Sequence, residues 1–232
     1  MYPMSTEKKE QSQRQPLAYK AYQIIHEKII TLALKPGEHI DERTLVEELG
    51  IGRTPIREAL LRLASEHLVE SKPNKGFAVK ALTLQDVKSM FEALNILEIG
   101  ACSLAVTQEL ETCVSLMKDA QQLVRKSIEK NDVIGLVKSN HSFHMHFARC
   151  SNNEYIVRAL NEVRNEVNRL AYLSFAGVRD LSRDLKDHYK AVISEHDLII
   201  KHLEHRELEA LQETVRIHIR TFQRRILNYL AT

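Results

Sequence analysis

Apolar residues recur at helical spacing along most of this chain, and the places where the pattern fails mark its elements. Over 17–32 the set Ala21, Ile24, Ile25, Ile29 and Leu32 predicts a first helix, ended by Lys35-Pro36-Gly37. Leu45, Val46 and Leu49 predict a second, with Asp41 as its N-cap and Gly50 at its C-terminal exit. Ile56, Ala59, Leu60 and Leu63 lie at i, i+3, i+4 and i+7 and predict a third. Thr54 is the expected N-cap of this helix, which puts Pro55 at the first helical position, where a missing N–H is harmless. The period then shortens: 68–71 and 77–80 read as two short strands around a turn, Lys72-Pro73-Asn74-Lys75-Gly76. From Thr83 onward helical spacing returns in six blocks, to about 107, then 110–130, 132–149, 155–175, 182–203 and 207–230. The expected fold is mainly α. Residues 1–15 form a polar, flexible tail, 16–82 a winged helix-turn-helix, and 83–232 an all-helical bundle.

Two short helices joined by Gly50-Ile51-Gly52, with a basic hairpin behind them, form a shape that enters DNA grooves. Arg53 and Arg57 bracket the front of the third helix, where the helix dipole favours phosphate and a recognition helix meets base edges. A surface helix pair carrying ordinary solvated arginines would have the same pattern without the hairpin; the wing tips the balance toward DNA.

Composition narrows this without deciding it. Across 232 residues there are only seven glycines, five prolines and no tryptophan, as suits a helical protein. The net charge of +2 says little, since 16–82 carries ten Lys and Arg against nine Asp and Glu. Attraction to phosphate must therefore come from where the cations sit. No apolar run approaches the ~18 residues of a membrane span. Cys102, Cys113 and Cys150 form no metal-type pair, and a reduced, cytoplasmic setting with buried thiols is expected.

Four stretches then carry a resemblance: Leu34-Lys35-Pro36-Gly37-Glu38, Leu45 to Ile51, Arg53-Thr54-Pro55-Ile56-Arg57-Glu58-Ala59-Leu60, and Asn74 to Val79. In order and spacing, over about 17–80, the chain resembles the GntR family of bacterial transcription regulators. The resemblance implies operator contacts at Arg43, Arg53, Thr54 and Arg57, and a wing tip at Lys75 and Gly76 that enters the minor groove. Gly52 departs from it, because a hydroxyl residue usually stands there to reach a phosphate. The second half is similar to the all-helical FCD effector-binding domain. Phe91-Glu92, Leu97-Glu98, Asn140-His141-Ser142-Phe143-His144, Asn152-Asn153, Glu195-His196 and Ile217-His218-Ile219 carry that likeness.

Helical spacing brings a set of histidines together. Asn140 and His144 share one face of a helix. His196 lies ten residues before the turn expected at Arg206 and His218 twelve after it, so in a helix hairpin both sit roughly 15–18 Å from the turn. Asn140, His144, His196 and His218 are thus the expected ligands of one divalent cation, with Zn²⁺ first and Ni²⁺ or another ion as alternatives. With eleven histidines in the chain, chance face-sharing is the competing reading; His146, His188, His202 and His205 are taken as surface or satisfied polar residues, while His141, three residues before His144, could substitute in part as a ligand. The FCD resemblance implies such a site, but with an Asp where this chain has Asn140. It also implies an Arg four residues before Glu98, to hold an effector carboxylate, where this chain has Leu94. That weakens the expectation of an organic acid effector.

No phosphate-binding Gly-rich loop, Gly-x-Ser-x-Gly or His-Glu-x-x-His is present, so the reading is of a non-enzyme. The alternatives are a metal-binding helical-bundle enzyme, which needs carboxylates converging with the histidines, and a non-specific DNA-coating protein. The expected partners are a palindromic double-stranded operator, a small-molecule effector and a second copy of the chain, with no membrane.

Overall fold

The computed structural model describes residues 6–72, 75–176 and 182–231. It divides into two compact units, Met1–Thr83 and Leu84–Thr232.

The first unit contains α1 (Thr6–Ile30), β1 (His39–Ile40), α2 (Glu42–Leu49), α3 (Arg53–Ser65), β2 (Val69–Lys72) and β3 (Gly76–Val79). Helix α1 begins inside the stretch read as a tail. Its early residues are Gln, Lys and Glu, which favour helix without needing an apolar face; residues 1–5 lie outside the described ones. The core forms where Ile25 and Ile29 of α1 meet Ile56, Leu60 and Leu63 of α3, all with no exposure. Each such side chain contributes about 1.5–3 kcal/mol on leaving water. Asp41 caps α2 as its position predicts, its carboxylate accepting from Arg43 N at 2.8 Å. Gly50 closes the helix at φ +62°, a left-handed conformation that a Cβ would strain, with its N–H on Val46 O.

The N-cap of α3 differs from expectation. The helix starts at Arg53, and its N-cap is Gly52, in extended backbone with no side-chain cap bond. Thr54 and Pro55 are therefore the second and third helical residues. Pro55 still costs nothing, because the first four N–H groups of a helix have no partner inside it.

The strands form one antiparallel sheet in the order β1-β3-β2. Val69 pairs with Val79 and Lys72 with Gly76, so β2 and β3 make the wing. The two-residue β1 was not legible in the sequence; it places His39 opposite Ala78 and Ile40 opposite Phe77.

The described residues of the second unit form six helices: α4 (Leu84–Ala105), α5 (Glu111–Glu129), α6 (Val133–Cys150), α7 (Glu154–Ala176), α8 (Ser182–Glu204) and α9 (Leu208–Ala231). Side-chain caps begin α6 and α7. Asp132 accepts from Gly135 N at the start of α6, and Asn153 accepts from Tyr155 N and Ile156 N before α7. Helix α5 packs on α6 and α8, α6 on α7, and α9 on α8 and α4. Phe143, Phe147, Met117 and Leu94 fill the space between them. Two of the cysteines expected as free thiols are joined: Cys113 and Cys150 form a disulfide, while Cys102 is free and buried. Their separation of 37 residues hides the pairing, because it closes only when α5 and α6 fold back on each other.

Candidate functional site

In the first unit Arg43, Arg53, Thr54 and Arg57 are exposed, on α2 and the front of α3, and Lys75 and Gly76 are exposed at the wing tip. An organising residue was missed in the sequence. Glu42 accepts from Arg53 Nε at 3.3 Å and lies 3.9 Å from an Arg57 guanidinium nitrogen. Its side chain is 14% exposed, against 70% and 58% for the arginines, so a sheltered carboxylate steers two solvent-facing cations. At the wing, Gly76 sits at φ +75° and Lys75 N donates to Lys72 O at 3.0 Å. His39 Nε2 lies 2.9 Å from Lys75 O, tying β1 to the tip. The remaining turn residues, Pro73 and Asn74, lie outside the described ones.

In the second unit, His144 on α6, His196 on α8 and His218 on α9 converge; one ring nitrogen from each lies within 4.8 Å of the others. All three are buried. The outward nitrogens identify which nitrogens face inward. Gln121 on α5 donates its amide N–H groups to Ile193 O and Asp197 Oδ1, both at 3.1 Å, which turns its oxygen toward His196. His196 Nδ1 donates to that oxygen at 2.9 Å. Its Nε2 is then a bare lone pair, buried and without a hydrogen-bond partner. His218 Nδ1 donates to Glu195 Oε2 at 2.8 Å, and Glu195 Oε1 accepts from the Thr221 hydroxyl at 2.9 Å. His144 Nδ1 lies 3.6 Å from Glu98 Oε1. The Nε2 atoms of His144 and His218 face each other at 3.2 Å. With the Nδ1 atoms of His196 and His218 held by acceptors, their Nε2 atoms are left for the inner side of the triad, a set of ring nitrogens that could hold a metal ion. This is how metal-binding histidines are oriented.

Electrostatics favour the neutral rings that ligation requires. Burial holds His144 and His196 well below the ordinary histidine pKa. For His144 the Arg164 guanidinium and then His218 push further the same way; for His196, His218 does so and then Arg164. The His196 ring is also clamped face to face by Phe143, with centroids 3.9 Å apart. Behind the triad, Arg164 of α7 and Glu98 of α4 form a buried pair, with Nε donating to Oε1 at 2.9 Å. Burial pushes the Arg164 guanidinium down from its ordinary value, and Glu98 beside it pushes back.

Asn140 lines a cavity of about 20 Å³ together with His144, His218, Glu195 and Arg164. Asn140 and His144 thus share a face, as their spacing predicts. His141, by contrast, meets Asn168 at 3.2 Å and is not in the triad. Glu98 and Glu195 do approach the histidines, which bears on the enzyme alternative. Glu195 meets the outward nitrogen of His218 and Glu98 lies 3.6 Å from that of His144, so neither is in the converging set.

Comparison with known proteins agrees with this architecture. The family model for bacterial regulatory proteins of the gntR family matches residues 17–79, and the FCD domain model matches residues 89–221. The uncharacterized HTH-type transcriptional regulator YdhC of Bacillus subtilis (strain 168) is 25% identical over 208 residues, 88% of each chain. LutR, an HTH-type transcriptional regulator of the same organism, is 32% identical over 146 residues, covering 56% of this chain and 66% of LutR. Among solved structures, E. coli McbR/YncC superposes with a TM-score of 0.74 at 20% identity, over 93% of this chain and 97% of that one, which is a likeness of fold. Among the described residues no helix is long and apolar enough to cross a membrane. A winged helix-turn-helix followed by a six-helix sensor bundle, each matched by its own family model, makes this chain a member of the GntR family of transcriptional regulators, carrying an FCD effector-binding domain.

Proposed function

We propose that this regulator binds one divalent cation through Nε2 of His144, His196 and His218, and that a small-molecule effector reaching this cation sets its affinity for a palindromic operator. The observation that carries the reading is the buried, bare Nε2 of His196, aimed at two other histidines whose outward nitrogens also face acceptors. Imidazole ligands suit Zn²⁺ first and Ni²⁺ or similar ions next. Asn140 or a water completes the set, and the bound ion supplies a Lewis acid that an effector oxygen can meet.

At about 20 Å³ the cavity beside the triad has room for roughly one water. An organic effector therefore needs the lining to open, and that opening is a conformational change able to reach DNA. With Leu94 buried where the family resemblance implies an arginine, no guanidinium from α4 is there to fix an effector carboxylate.

In the first unit, Arg53 and Arg57 read base edges, Arg43 and Thr54 meet the operator beside them, and Lys75 with Gly76 enters the minor groove. Two copies on a two-fold axis match a palindromic site. The protein acts as a binding switch and catalyses no reaction.

Elemental analysis of the full chain, purified without chelator or histidine tag, tests the metal: about one Zn²⁺ or Ni²⁺ per chain in the wild type, and loss in His196→Ala and His218→Ala. No metal after loading, or equal metal in the variants, overturns it. Operator binding is read separately by fluorescence anisotropy. Arg53→Ala or Arg57→Ala costs about 1–3 kcal/mol and relaxes preference at one base position. Unchanged affinity in both variants would move the recognition surface elsewhere.

A further inference from the structure

The α5–α6 hairpin carries a feature that neither DNA binding nor the histidine triad uses. Its closed end is the turn at Lys130-Asn131-Asp132, and at its open end the first turns of α5 meet the last turn of α6. There Cys113 and Cys150 are bonded, with Cα atoms 5.6 Å apart, inside the range that a disulfide spans without moving backbone. Cys113 is half-buried; Cys150 is 2% exposed and lies behind it, its sulfur 3.8 Å from the thioether of Met117. Of the two residues, Cys113 is the one nearer solvent and Cys150 the one enclosed.

We propose that Cys113 and Cys150 form a reversible oxidation site for hydroperoxides, and that its disulfide clasps helices α5 and α6 together. In the first step the Cys113 thiolate attacks a peroxide oxygen. An S–O bond forms, the O–O bond breaks, and water (or the corresponding alcohol) leaves with the proton, giving a sulfenic acid at Cys113. In the second step the Cys150 sulfur attacks that of Cys113. The S–S bond forms, the S–O bond breaks, and a second water carries away the proton from Cys150. The two thiols supply the two electrons that reduce the peroxide, and a dithiol returns them. Where thiols are kept reduced, disulfides form transiently and in redox sensing, which is the setting in which such a pair responds to oxidant.

The clasp lies on the helices that hold the triad in place. Helix α5 carries Gln121, which orients His196, and α6 carries His144 six residues before Cys150. Oxidation thus fixes the separation of two walls of the sensor bundle, while reduction leaves their open end held by packing alone. The third thiol is a built-in control. Cys102 is buried on α4, where burial and then the neighbouring Glu98 push its pKa up to about 12. It has little thiolate to offer an oxidant.

The test uses the full chain, reduced with dithiothreitol, desalted, and exposed to hydrogen peroxide or buffer. Thiols are then alkylated in denaturant and mapped by mass spectrometry. After peroxide, the expected result is a linked Cys113–Cys150 peptide pair, two hydrogens lighter than its parts, with Cys102 alone alkylated; dithiothreitol restores all three thiols. The oxidised protein should melt roughly 5–15 °C above the reduced one, since a loop of this length is closed in its unfolded chain. Cys113→Ser should leave Cys150 reduced, because the buried sulfur loses its exposed partner. The reduced wild type serves as a folded comparison if that variant does not fold. The proposal fails if all three thiols alkylate equally after peroxide. It also fails if Cys113 runs on to sulfonic acid with Cys150 free, if the link forms between chains, or if linked and reduced proteins melt together.

Discussion

Replacing Arg164 by Met breaks a buried ion pair of the sensor domain. Glu98 and Arg164 are 1% and 5% exposed at their side chains, and the guanidinium makes two bonds to one carboxylate oxygen. Methionine fills much of the arginine's volume, so the change strands a carboxylate and opens little cavity. Removing one member of a buried pair costs about 3–5 kcal/mol. The guanidinium and carboxylate are both nearly out of water, so the expected loss lies within that range. The double change Glu98→Met with Arg164→Met should recover most of the loss, because no charge is left to strand. Urea unfolding of wild type, both single variants and the double variant measures all of this. A cost under about 1 kcal/mol would show that water reaches the pair and that the core is not dry.

Two further outcomes follow from the geometry. In metal-free protein, unfolded histidines gain protons below about 6.5 whereas folded His144 and His196 resist, so stability is complete above that pH and falls below it. The slope is about 1.4 kcal/mol per pH unit for each ring; His196→Gln should halve the pair's contribution between pH 6.5 and 5.5, and an unchanged slope would mean that His196 titrates normally in the fold. At the DNA surface, Glu42→Gln frees Arg53 and Arg57 from their common anchor. Being exposed pairs they add little stability, about 0–1 kcal/mol, but operator selectivity over scrambled DNA should fall roughly 5–10-fold while binding to scrambled DNA strengthens; equal selectivity in anisotropy titrations would leave Glu42 a helix-start residue and nothing more.

How legible each part was depended on how far apart in sequence its determinants lie. Helices α2 and α3 show because Leu45, Val46, Leu49 and then Ile56, Ala59, Leu60, Leu63 each mark one face within two turns. The levelling of His196 with His218 shows because one turn, at Arg206 (φ +57°), fixes both heights. Strand β1 does not show: two residues give no alternation, and their pairing with Phe77 and Ala78 is decided by the fold. The α3 cap falls elsewhere than expected because Thr54 has the better capping side chain, while the helix begins two residues earlier, after Gly52. The contacts that Gln121, Glu195 and Glu98 make to the histidines escaped for a third reason, although Glu98 and Glu195 stand among the residues that carry the FCD likeness. Each of the three is an ordinary polar residue on its own helix, and only the packing of α5, α8 and α4 around the triad brings it to a histidine.

Those outer residues change what the departure at Asn140 means. Three imidazoles and an amide would surround a divalent ion with neutral donors, and a site of that kind is weak for want of Coulomb attraction. The negative charge is present one bond further out. Glu98 gives most of its charge to Arg164, so its influence on His144 is already compensated. Glu195 accepts from His218 Nδ1 with one oxygen and from a neutral hydroxyl, that of Thr221, with the other. Its charge is therefore the one available to make a ligand more basic. Glu195→Gln keeps an oxygen able to accept from His218 Nδ1, so the ring orientation survives and the charge alone is lost. The expected result is a 10–100-fold weaker hold on Zn²⁺, the usual size of such outer-layer effects. Glu98→Gln should matter less, and Asn140→Asp should tighten binding by adding an anionic donor. Competition against a chromophoric chelator measures all three, with helix content by circular dichroism as the check on folding. If Glu195→Gln held Zn²⁺ as well as wild type, or Glu98→Gln lost more, the charge supporting the site would have to come from somewhere other than the His218–Glu195 bond.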